Sequence, residues 1–308
     1  MINENCSSYC KSINVPLIGS VKELEKTKTF GGYILIKKNS PWEPKIENTN
    51  TMIRTIYERV NEIQNKQNII WKLQLISDDN NEIESIEHMH AIFYRNIHSK
   101  GIIGNLKKET YKIPFAKLAD NFENIMLNEN TEFLVNNEYE RDVLVCNHSR
   151  RDICCGKYGY PIYKYLKNLS LEKVKIWRTS HIGGHRTAPT MVEFPEARYW
   201  GYLTNEIAKD IVTKEFTIVD IFDKHYRGRF GMKNEEQMID LMALNKFGIK
   251  WHSNNLSIFS ELKNKKIIIK MKSHLLEIKK ILQKEPMIIE VGETKCQIVK
   301  PINLFKEN

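Results

Sequence analysis

Two cysteines and two histidines in one stretch of the chain constrain its fold and chemistry more than any other feature. Cys146 and Cys155 have C-x8-C spacing, and His181 and His185 have H-x3-H spacing further along. Two thiols and two imidazoles can supply all four ligands of a tetrahedral zinc ion or of an iron–sulfur centre. Magnesium and calcium are excluded because these ions prefer oxygen ligands. The four residues are therefore candidate ligands of zinc or of an iron–sulfur centre.

The surroundings of the cysteines favour ligand thiols. Both cysteines lie in a polar segment, and the nearby Arg150, Arg151 and Arg186 would lower the thiol pKa and favour the thiolate that metals bind. The alternative is a pair of buried apolar thiols, a role to which free cysteine is well suited. Of the two adjacent cysteines, we expect Cys155 to be the ligand and Cys154 to be a spare thiol.

The segment around the histidines has two further features. The flexible pair Gly183–Gly184 would let the backbone wrap closely around a bound centre. The alternative is that the histidines have surface or capping roles. Arg186 is a candidate for balancing the charge of a centre, with a solvated surface position as an equal alternative. Pro189 precedes a predicted strand, where thioredoxin-like folds often place a cis-proline facing the active site.

Hydrophobic periodicity divides the chain into two similar segments and a third of different pattern. The first has predicted strands at 31–38, 69–76, 91–95 and 106–114, and helices at 52–63 and 115–127. The second has strands at 142–145, 174–177, 191–194 and 199–203, and helices at 158–169 and 205–212. The third has a strand at 217–222, a helix at 234–246 and short strands beyond.

The repeated order β-α-β-β-β-α is that of a thioredoxin-like unit. We predict an α/β protein with tandem thioredoxin-like units and a mixed sheet, plus a small C-terminal α/β extension. The predicted domains are 1–138, 139–214 with the candidate ligands, and 215–308. Functional groups gather at the carboxyl ends of adjacent strands in such sheets. Cys146 ends one strand, His181 follows the next, and Cys155 is predicted on the loop before the following helix.

Composition limits the classes of partner. The net charge of +9 comes from 47 basic and 38 acidic residues, and the lysines are spread along the chain. We therefore predict a solvated basic surface and no nucleic-acid site, although such a surface could steer an acidic redox partner. No apolar run approaches the roughly 20 residues that cross a bilayer, and Met1–Cys6 does not resemble a secretory signal. We expect a cytoplasmic protein without a membrane partner, whose six cysteines are ligands or free thiols.

Several motifs together resemble the sucrase/ferredoxin-like family, which is related to the thioredoxin-like [2Fe–2S] ferredoxins. They are Cys146-x8-Cys155-Gly156 with Asp152, Trp177-Arg-Thr-Ser-His181-Ile-Gly-Gly-His185-Arg186-x-Ala188-Pro189, Tyr199-Trp200-Gly201, Ser40-Pro-Trp42 and Tyr226-Arg-Gly228. The resemblance implies a [2Fe–2S] cluster held by Cys146, Cys155, His181 and His185. Four-cysteine ferredoxins of this kind have C-x3-C where this chain has the two histidines. Arg186, Asp152 and Pro189 are then candidates for residues that surround the ligands.

The function implied by the resemblance is one-electron transfer to or from an unidentified redox partner protein, without chemistry on a small substrate. Two neutral imidazoles in place of two thiolates predict a reduction potential above that of a four-cysteine cluster, as in Rieske centres. The alternatives are a zinc-binding structural or regulatory protein and a thiol–disulfide oxidoreductase on a thioredoxin scaffold. Sugar hydrolysis, suggested by the family's name, is disfavoured because the motifs contain no pair of carboxylates.

Overall fold

The computed structural model describes residues 17, 20–22, 28–79, 87–253, 255–263, 266–273, 277–283 and 306–307. The strands are β1 Thr29–Lys37, β2 Ile69–Ser77, β3 His88–Arg95, β4 Ile102–Ile103, β5 Lys107–Pro114, β6 Leu134–Val135, β7 Arg141–Cys146, β8 Val174–Thr179, β9 Met191–Phe194, β10 Arg198–Trp200, β11 Tyr226–Arg229, β12 Leu256–Lys263, β13 Lys266–Lys272, β14 Glu277–Gln283 and β15 Lys306–Glu307. The α-helices are α1 Thr51–Gln67, α2 Phe115–Met126, α3 Ile153–Asn168, α4 Asn205–Thr213, α5 Ile221–His225 and α6 Asn234–Phe247. Within these ranges, no helix combines the length and apolar character that crossing a membrane requires.

Ten strands form one mixed sheet in the order β11-β10-β9-β7-β8-β2-β1-β3-β5-β6. The pairs β1/β2 and β7/β8 are parallel, and all the other neighbours in this sheet are antiparallel. The order β2-β1-β3-β5 in one half therefore has the same pairing directions as β8-β7-β9-β10 in the other. The halves join where Ile76 pairs with Thr179 and Ser77 with Arg178. The predicted α/β class and the mixed sheet are confirmed.

Alternation along the central strands divides the core into layers, because successive strand side chains point to opposite faces of the sheet. On β1, Ile34 and Ile36 pack with α1 and α2, whereas Tyr33 and Leu35 face a second cluster. On β7, Val143 and Val145 pack beneath α3 and α4, whereas Leu144 and Cys146 face that same second cluster. The helices thus lie outside, and the inner faces of the two sheet halves pack against each other.

Specific contacts fix this inner layer. The rings of Tyr94 and Phe194 stack with centroids 4.3 Å apart, and the hydroxyls of Tyr33 and Tyr199 are 2.9 Å apart. The buried carboxylate of Asp142 accepts hydrogen bonds from Tyr94 and from Trp177 Nε1, which is 2.7 Å away. Both halves of the sheet therefore contribute to one core, in which Cys146 is fully buried.

The structure changes two predicted boundaries. Helix α3 begins at Ile153, several residues before the predicted start, because the Asp152 side chain caps it by accepting a hydrogen bond from Cys154 N at 2.9 Å. Pro161 lies inside the helix rather than in its first turn. The strand predicted at 217–222 is wrong. There the Asp210 carboxylate accepts hydrogen bonds from the backbone of Thr217 and Ile218, and α5 follows.

The C-terminal third contributes to both sheets. Strand β11 pairs with β10 at the edge of the main sheet. A second sheet has the order β15-β14-β13-β12-β4, and its strand β4 comes from the first half of the chain. Residues of α5 and α6 pack in the same core cluster as those of α3 and α4. Residues beyond 214 therefore complete the core beside the second half of the sheet.

Candidate metal centre

Cys146 is held at the carboxyl end of β7. Its backbone N–H donates to the carbonyl of Thr190 at 3.0 Å, and its side chain faces the inner layer between the sheet halves. Cys155 is 1% exposed and faces the same layer from the first turn of α3. The prediction that Cys155 lies on a loop before the helix is therefore wrong, since the Asp152 cap starts the helix earlier.

His181 completes a group of three. Its Nδ1 lies 3.4 Å from Cys155 Sγ and 3.9 Å from Cys146 Sγ. One donor atom from each of these residues lies within 4.8 Å of the other two. Two sulfurs and one nitrogen at these separations fit the ligand shell of a thiolate- and imidazole-binding metal.

His185 lies beside this group but outside it. Its ring centroid is 6.1 Å from that of His181, and its Nδ1 is 3.7 Å from the Asp152 carboxylate. A carboxylate at one ring nitrogen is the usual partner of a metal-ligating histidine, because it orients the ring and leaves the other nitrogen for the metal. The predicted fourth ligand is therefore adjacent to the other three, with its Nε2 on the opposite side of the ring from Asp152.

Electrostatics favour one thiolate in the pair of cysteines. The hydrogen bond with Cys155 lowers the pKa of Cys146 well below the ordinary thiol value, and His181 lowers it further. The same hydrogen bond, together with burial, raises the pKa of Cys155. Burial lowers the pKa of His185, and the charge of Asp152 partly opposes this. A thiolate and a neutral imidazole are the forms that bind metals.

His148 supports the centre and was not singled out from the sequence. This buried ring accepts a hydrogen bond at Nδ1 from His181 N at 3.2 Å, and its Nε2 donates to Trp42 O at 3.3 Å. Burial lowers the pKa of His148 and so favours the neutral ring that this pattern requires. The Ser40-Pro-Trp42 motif of the first half therefore contacts the centre through His148. The position of His148 two residues after Cys146 was the only signal available in the sequence.

The remaining candidates lie close to the candidate ligands. Arg186 is half-buried next to His185, and its charge contributes to the lowered pKa of that ring. The Ala188–Pro189 peptide bond is cis, and Thr190, the next residue, accepts the Cys146 backbone hydrogen bond. Cys154 is fully buried but packs against Ala188 in a separate cluster.

Asp152 both caps α3 and contacts His185, and these two roles can be separated. We expect Asp152→Ala to lower the free energy of unfolding by about 1 kcal/mol, because the cap is lost. Asp152→Asn should keep the cap, since asparagine is as good an N-cap as aspartate. In the metal-free protein it should nevertheless lower the pKa of His185 further, because the carboxylate charge is removed. Urea unfolding and NMR titration of His185 measure the two effects. Equal stability of the Ala and Asn variants would contradict the capping role.

Lys72 is a largely buried cation on the inner face of β2. Its Nζ lies 3.8 Å from the Phe230 ring centroid and 3.4 Å from the Tyr199 hydroxyl. Burial lowers its pKa to about 7, and the charges of Arg227 and Lys22 add to this. Within the described part of the chain, Lys72 has no carboxylate partner.

Because the folded protein penalises the charged form, we expect Lys72→Met to stabilise the protein at pH 7, by about 1–2 kcal/mol. Between pH 7 and the ordinary lysine value of 10.5 the folded state binds fewer protons than the unfolded state. The wild type therefore gains stability as the pH rises. The difference in free energy of unfolding between Lys72→Met and the wild type should become smaller. Urea unfolding at pH 7 and pH 10 measures this. Lys112→Met, at an exposed position on β5, is the control. If the stability difference between Lys72→Met and the wild type is the same at both pH values, the lowered pKa of Lys72 is contradicted.

The chain is similar to one protein family and to two named relatives. The sucrase/ferredoxin-like family model matches residues 24–228. Two relatives, each named "Altered inheritance of mitochondria protein 32", match shorter segments. The relative from Debaryomyces hansenii is 34% identical over 96 residues, which is 28% of this chain and 34% of the relative. The relative from Meyerozyma guilliermondii is 28% identical over 130 residues, which is 40% of this chain and 45% of the relative. The matched segments thus span less than half of these relatives.

Among solved structures, two structures of a thioredoxin-like [2Fe–2S] ferredoxin from Aquifex aeolicus are similar to part of the chain. One, a cysteine-to-serine variant, is 17% identical with a TM-score of 0.22, and the match covers 25% of this chain and 87% of the ferredoxin. The other is 17% identical with a TM-score of 0.23, and the match covers 26% of this chain and 83% of the ferredoxin.

Proposed function

This chain belongs to the sucrase/ferredoxin-like family, and from that premise we propose that it is a one-electron carrier. In this proposal Cys146, Cys155, His181 and His185 hold a [2Fe–2S] cluster. The observation that carries the proposal is the convergence of three donor atoms within 4.8 Å, from the end of β7, the first turn of α3 and the loop after β8. When bound, the cluster would supply the one-electron redox chemistry.

The residues of the chain have separate tasks in this mechanism. Cys146 and Cys155 bind as thiolates, and their burial in the inner layer keeps water away from the sulfurs. His148 holds the backbone of His181, and the carboxylate of Asp152 orients His185. Two neutral imidazoles in the ligand set add less negative charge than two thiolates would, which favours the reduced state.

The tandem thioredoxin-like arrangement is part of the proposal. It is supported by the equal strand orders and pairing directions of the two halves of the sheet. The second half then carries the cluster, and the first half covers it, as the contact between Trp42 and His148 indicates.

The redox partner and the location of the protein are also proposed. The net charge of +9 favours a partner protein with an acidic surface. We propose a cytoplasmic location. Cell fractionation tests it, and the mitochondrial fraction is the important comparison because the two relatives are named for mitochondrial inheritance. Recovery of the protein in mitochondria would contradict a cytoplasmic carrier.

Zinc is the second candidate cofactor. Separations of 3.4 and 3.9 Å between His181 Nδ1 and the two sulfurs also suit ligands that share a single tetrahedral ion. A protein with this cofactor would be structural or regulatory rather than an electron carrier.

The deciding experiment is the purification of the full chain without air, followed by assays of iron, acid-labile sulfide and zinc. The proposal predicts a coloured protein with about two irons and two sulfides per chain and an EPR signal after reduction. A colourless protein with one zinc per chain would establish the second candidate. A protein without metal that reduces disulfides would instead favour the thiol–disulfide oxidoreductase.

A further inference from the structure

A single buried guanidinium joins three of the sequence motifs. Arg227 lies on β11 and is 1% exposed. Its Nη1 donates to the carbonyl of Gly183 at 3.3 Å, inside the loop that separates His181 from His185. Its guanidinium also lies 5.8 Å from the centroid of the Tyr199 ring. The motifs at 180–186, 199–201 and 226–228 therefore meet at Arg227.

The glycines of two of these motifs make room for Arg227. A β-carbon on Gly184, which has a φ of 76°, would lie 2.1 Å from Arg227 Nη2. A β-carbon on Gly201 would lie 2.9 Å from Arg227 Cδ. Gly184 is therefore required by the close packing of the histidine loop on this guanidinium, which the sequence did not reveal.

Arg227 is a buried cation whose hydrogen-bond acceptors are all uncharged. Apart from Gly183 O, they are Ser20 Oγ at 2.9 Å and Ser20 O at 3.2 Å. In the part of the chain that the structure describes, no carboxylate pairs with it. Burial of an uncompensated charge is unfavourable, so a negative charge nearby is expected.

Among the described residues, the thiolates of the candidate centre supply negative charge that acts on Arg227. Burial lowers the pKa of Arg227 to about 10, and the charges of Tyr199, Cys146 and Cys155 oppose this lowering. Arg227 therefore remains protonated at neutral pH. Arg186, the residue that the sequence indicated for charge balance, is only half-buried and thus more strongly screened by solvent.

We propose that Arg227 is a positioning residue that offsets the charge of the Cys146–Cys155 thiolates and fixes the loop between His181 and His185. This inference rests on the proposed function, because it assigns Arg227 a role towards a bound cluster. Reduction would add a negative charge near this cation, so the charge of Arg227 should raise the reduction potential. The contacts to Gly183 and Gly184 should slow the loss of iron.

The test uses the full-length, cluster-loaded protein and the variants Arg227→Gln, Arg227→Lys and Arg150→Gln. Arg150 is the control because its exposed side chain pairs with Glu43. Contrary to the expectation from the sequence, the lowered pKa of Cys146 comes from Cys155 and His181 and not from Arg150. Potentials are measured by optical redox titration, iron release by transfer to a chelator, and folding by circular dichroism.

For Arg227→Gln we expect the ratio of reduced to oxidised protein at the wild-type midpoint potential to fall about ten-fold, which is about 59 mV for one electron. Arg227→Lys should keep the potential but release iron several-fold faster, and Arg150→Gln should change neither. A folded, loaded Arg227→Gln protein with the wild-type potential would overturn the charge role.

If Arg227→Gln does not fold, Arg227→Lys decides the outcome. If Arg227→Lys releases iron at the wild-type rate, the role of Arg227 in fixing the loop is overturned. If Arg227→Lys keeps the positive charge but has a lower reduction potential than the wild type, the charge role is overturned. A wild-type protein that binds no iron or sulfide would contradict the proposed function itself, whereas a loaded wild type with unaffected variants would contradict only this inference.

Discussion

Replacing Cys155 with serine is expected to remove nearly all bound iron, whereas the same replacement of its neighbour Cys154 should leave the iron in place. Both side chains are buried, but they face different parts of the core. Cys155 Sγ lies 3.4 Å from His181 Nδ1 within the donor group, whereas Cys154 packs against Ala188. Neighbouring residues on a helix point about 100° apart, so the two thiols cannot exchange places without moving α3.

The measurement is iron and acid-labile sulfide per chain after anaerobic purification, together with the visible absorption spectrum. Cys155→Ser and Cys146→Ser should each retain less than about one tenth of the wild-type iron, because serine is a poor ligand for the metals that thiolates bind. Cys154→Ser should retain most of it and serves as the matched control. Circular dichroism confirms that each variant is folded. Loss of iron from Cys154→Ser, with retention in Cys155→Ser, would assign the ligand role to Cys154.

Sequence patterns predicted the strands that precede two of the candidate ligands, Cys146 and His181, because those signals are local. The strands predicted at 142–145 and 174–177 correspond to β7 and β8, and their ends placed Cys146 and His181 at the same edge of the sheet. The start of α3 was missed because Pro161 is typical of a first turn, whereas Asp152 supplies the actual cap.

Contacts between distant parts of the chain could not be predicted in this way. His148 accepts a hydrogen bond from His181 and donates one to Trp42, which is 106 residues away in the sequence. Arg227 reaches Ser20, 207 residues away. These partners are chosen by the packing of the two sheet halves and of β11, and hydrophobic periodicity carries no information about which faces meet.

Asp240 on α6 is the position where one substitution should have the largest effect on stability. Its fully buried carboxylate accepts hydrogen bonds from the Tyr226 hydroxyl at 2.6 Å, from Trp251 Nε1 at 2.8 Å and from His252 Nε2 at 2.8 Å. Asp240→Leu leaves these three buried donors without an acceptor. Removal of one member of a buried charged network lowers stability by about 3–5 kcal/mol, and unpaired donors contribute to that loss.

The effect of Asp240 should depend on pH in a defined direction. Burial alone would raise its pKa, but the charge and hydrogen bond of His252 outweigh burial and hold the pKa below the ordinary value of 3.8. Stability from a carboxylate with a lowered pKa is fully present above that value and is lost as the pH falls through the folded-state pKa. Burial also lowers the pKa of His252 below 6.5, so protonation of the unfolded state at this residue destabilises the fold from about pH 6.5 downwards.

We therefore expect the wild type to lose stability from pH 7 towards pH 3. Because Asp240 raises the pKa of His252, Asp240→Leu should lose more stability than the wild type between pH 7 and pH 5, so the difference between the two proteins should be larger at pH 5 than at pH 7. The difference should shrink again as the pH falls through the folded-state pKa of Asp240. Urea unfolding followed by circular dichroism at pH 7, 5 and 3 measures both. Asp220→Asn is the control, because Asp220 is exposed and its contact with Lys224 is a surface ion pair. Pairs of this kind contribute little to stability, so the control should unfold like the wild type. If Asp240→Leu were as stable as the wild type at pH 7, the network would not stabilise the core. The packing of α6 beside β11 and Arg227 would then have to depend on its apolar residues alone.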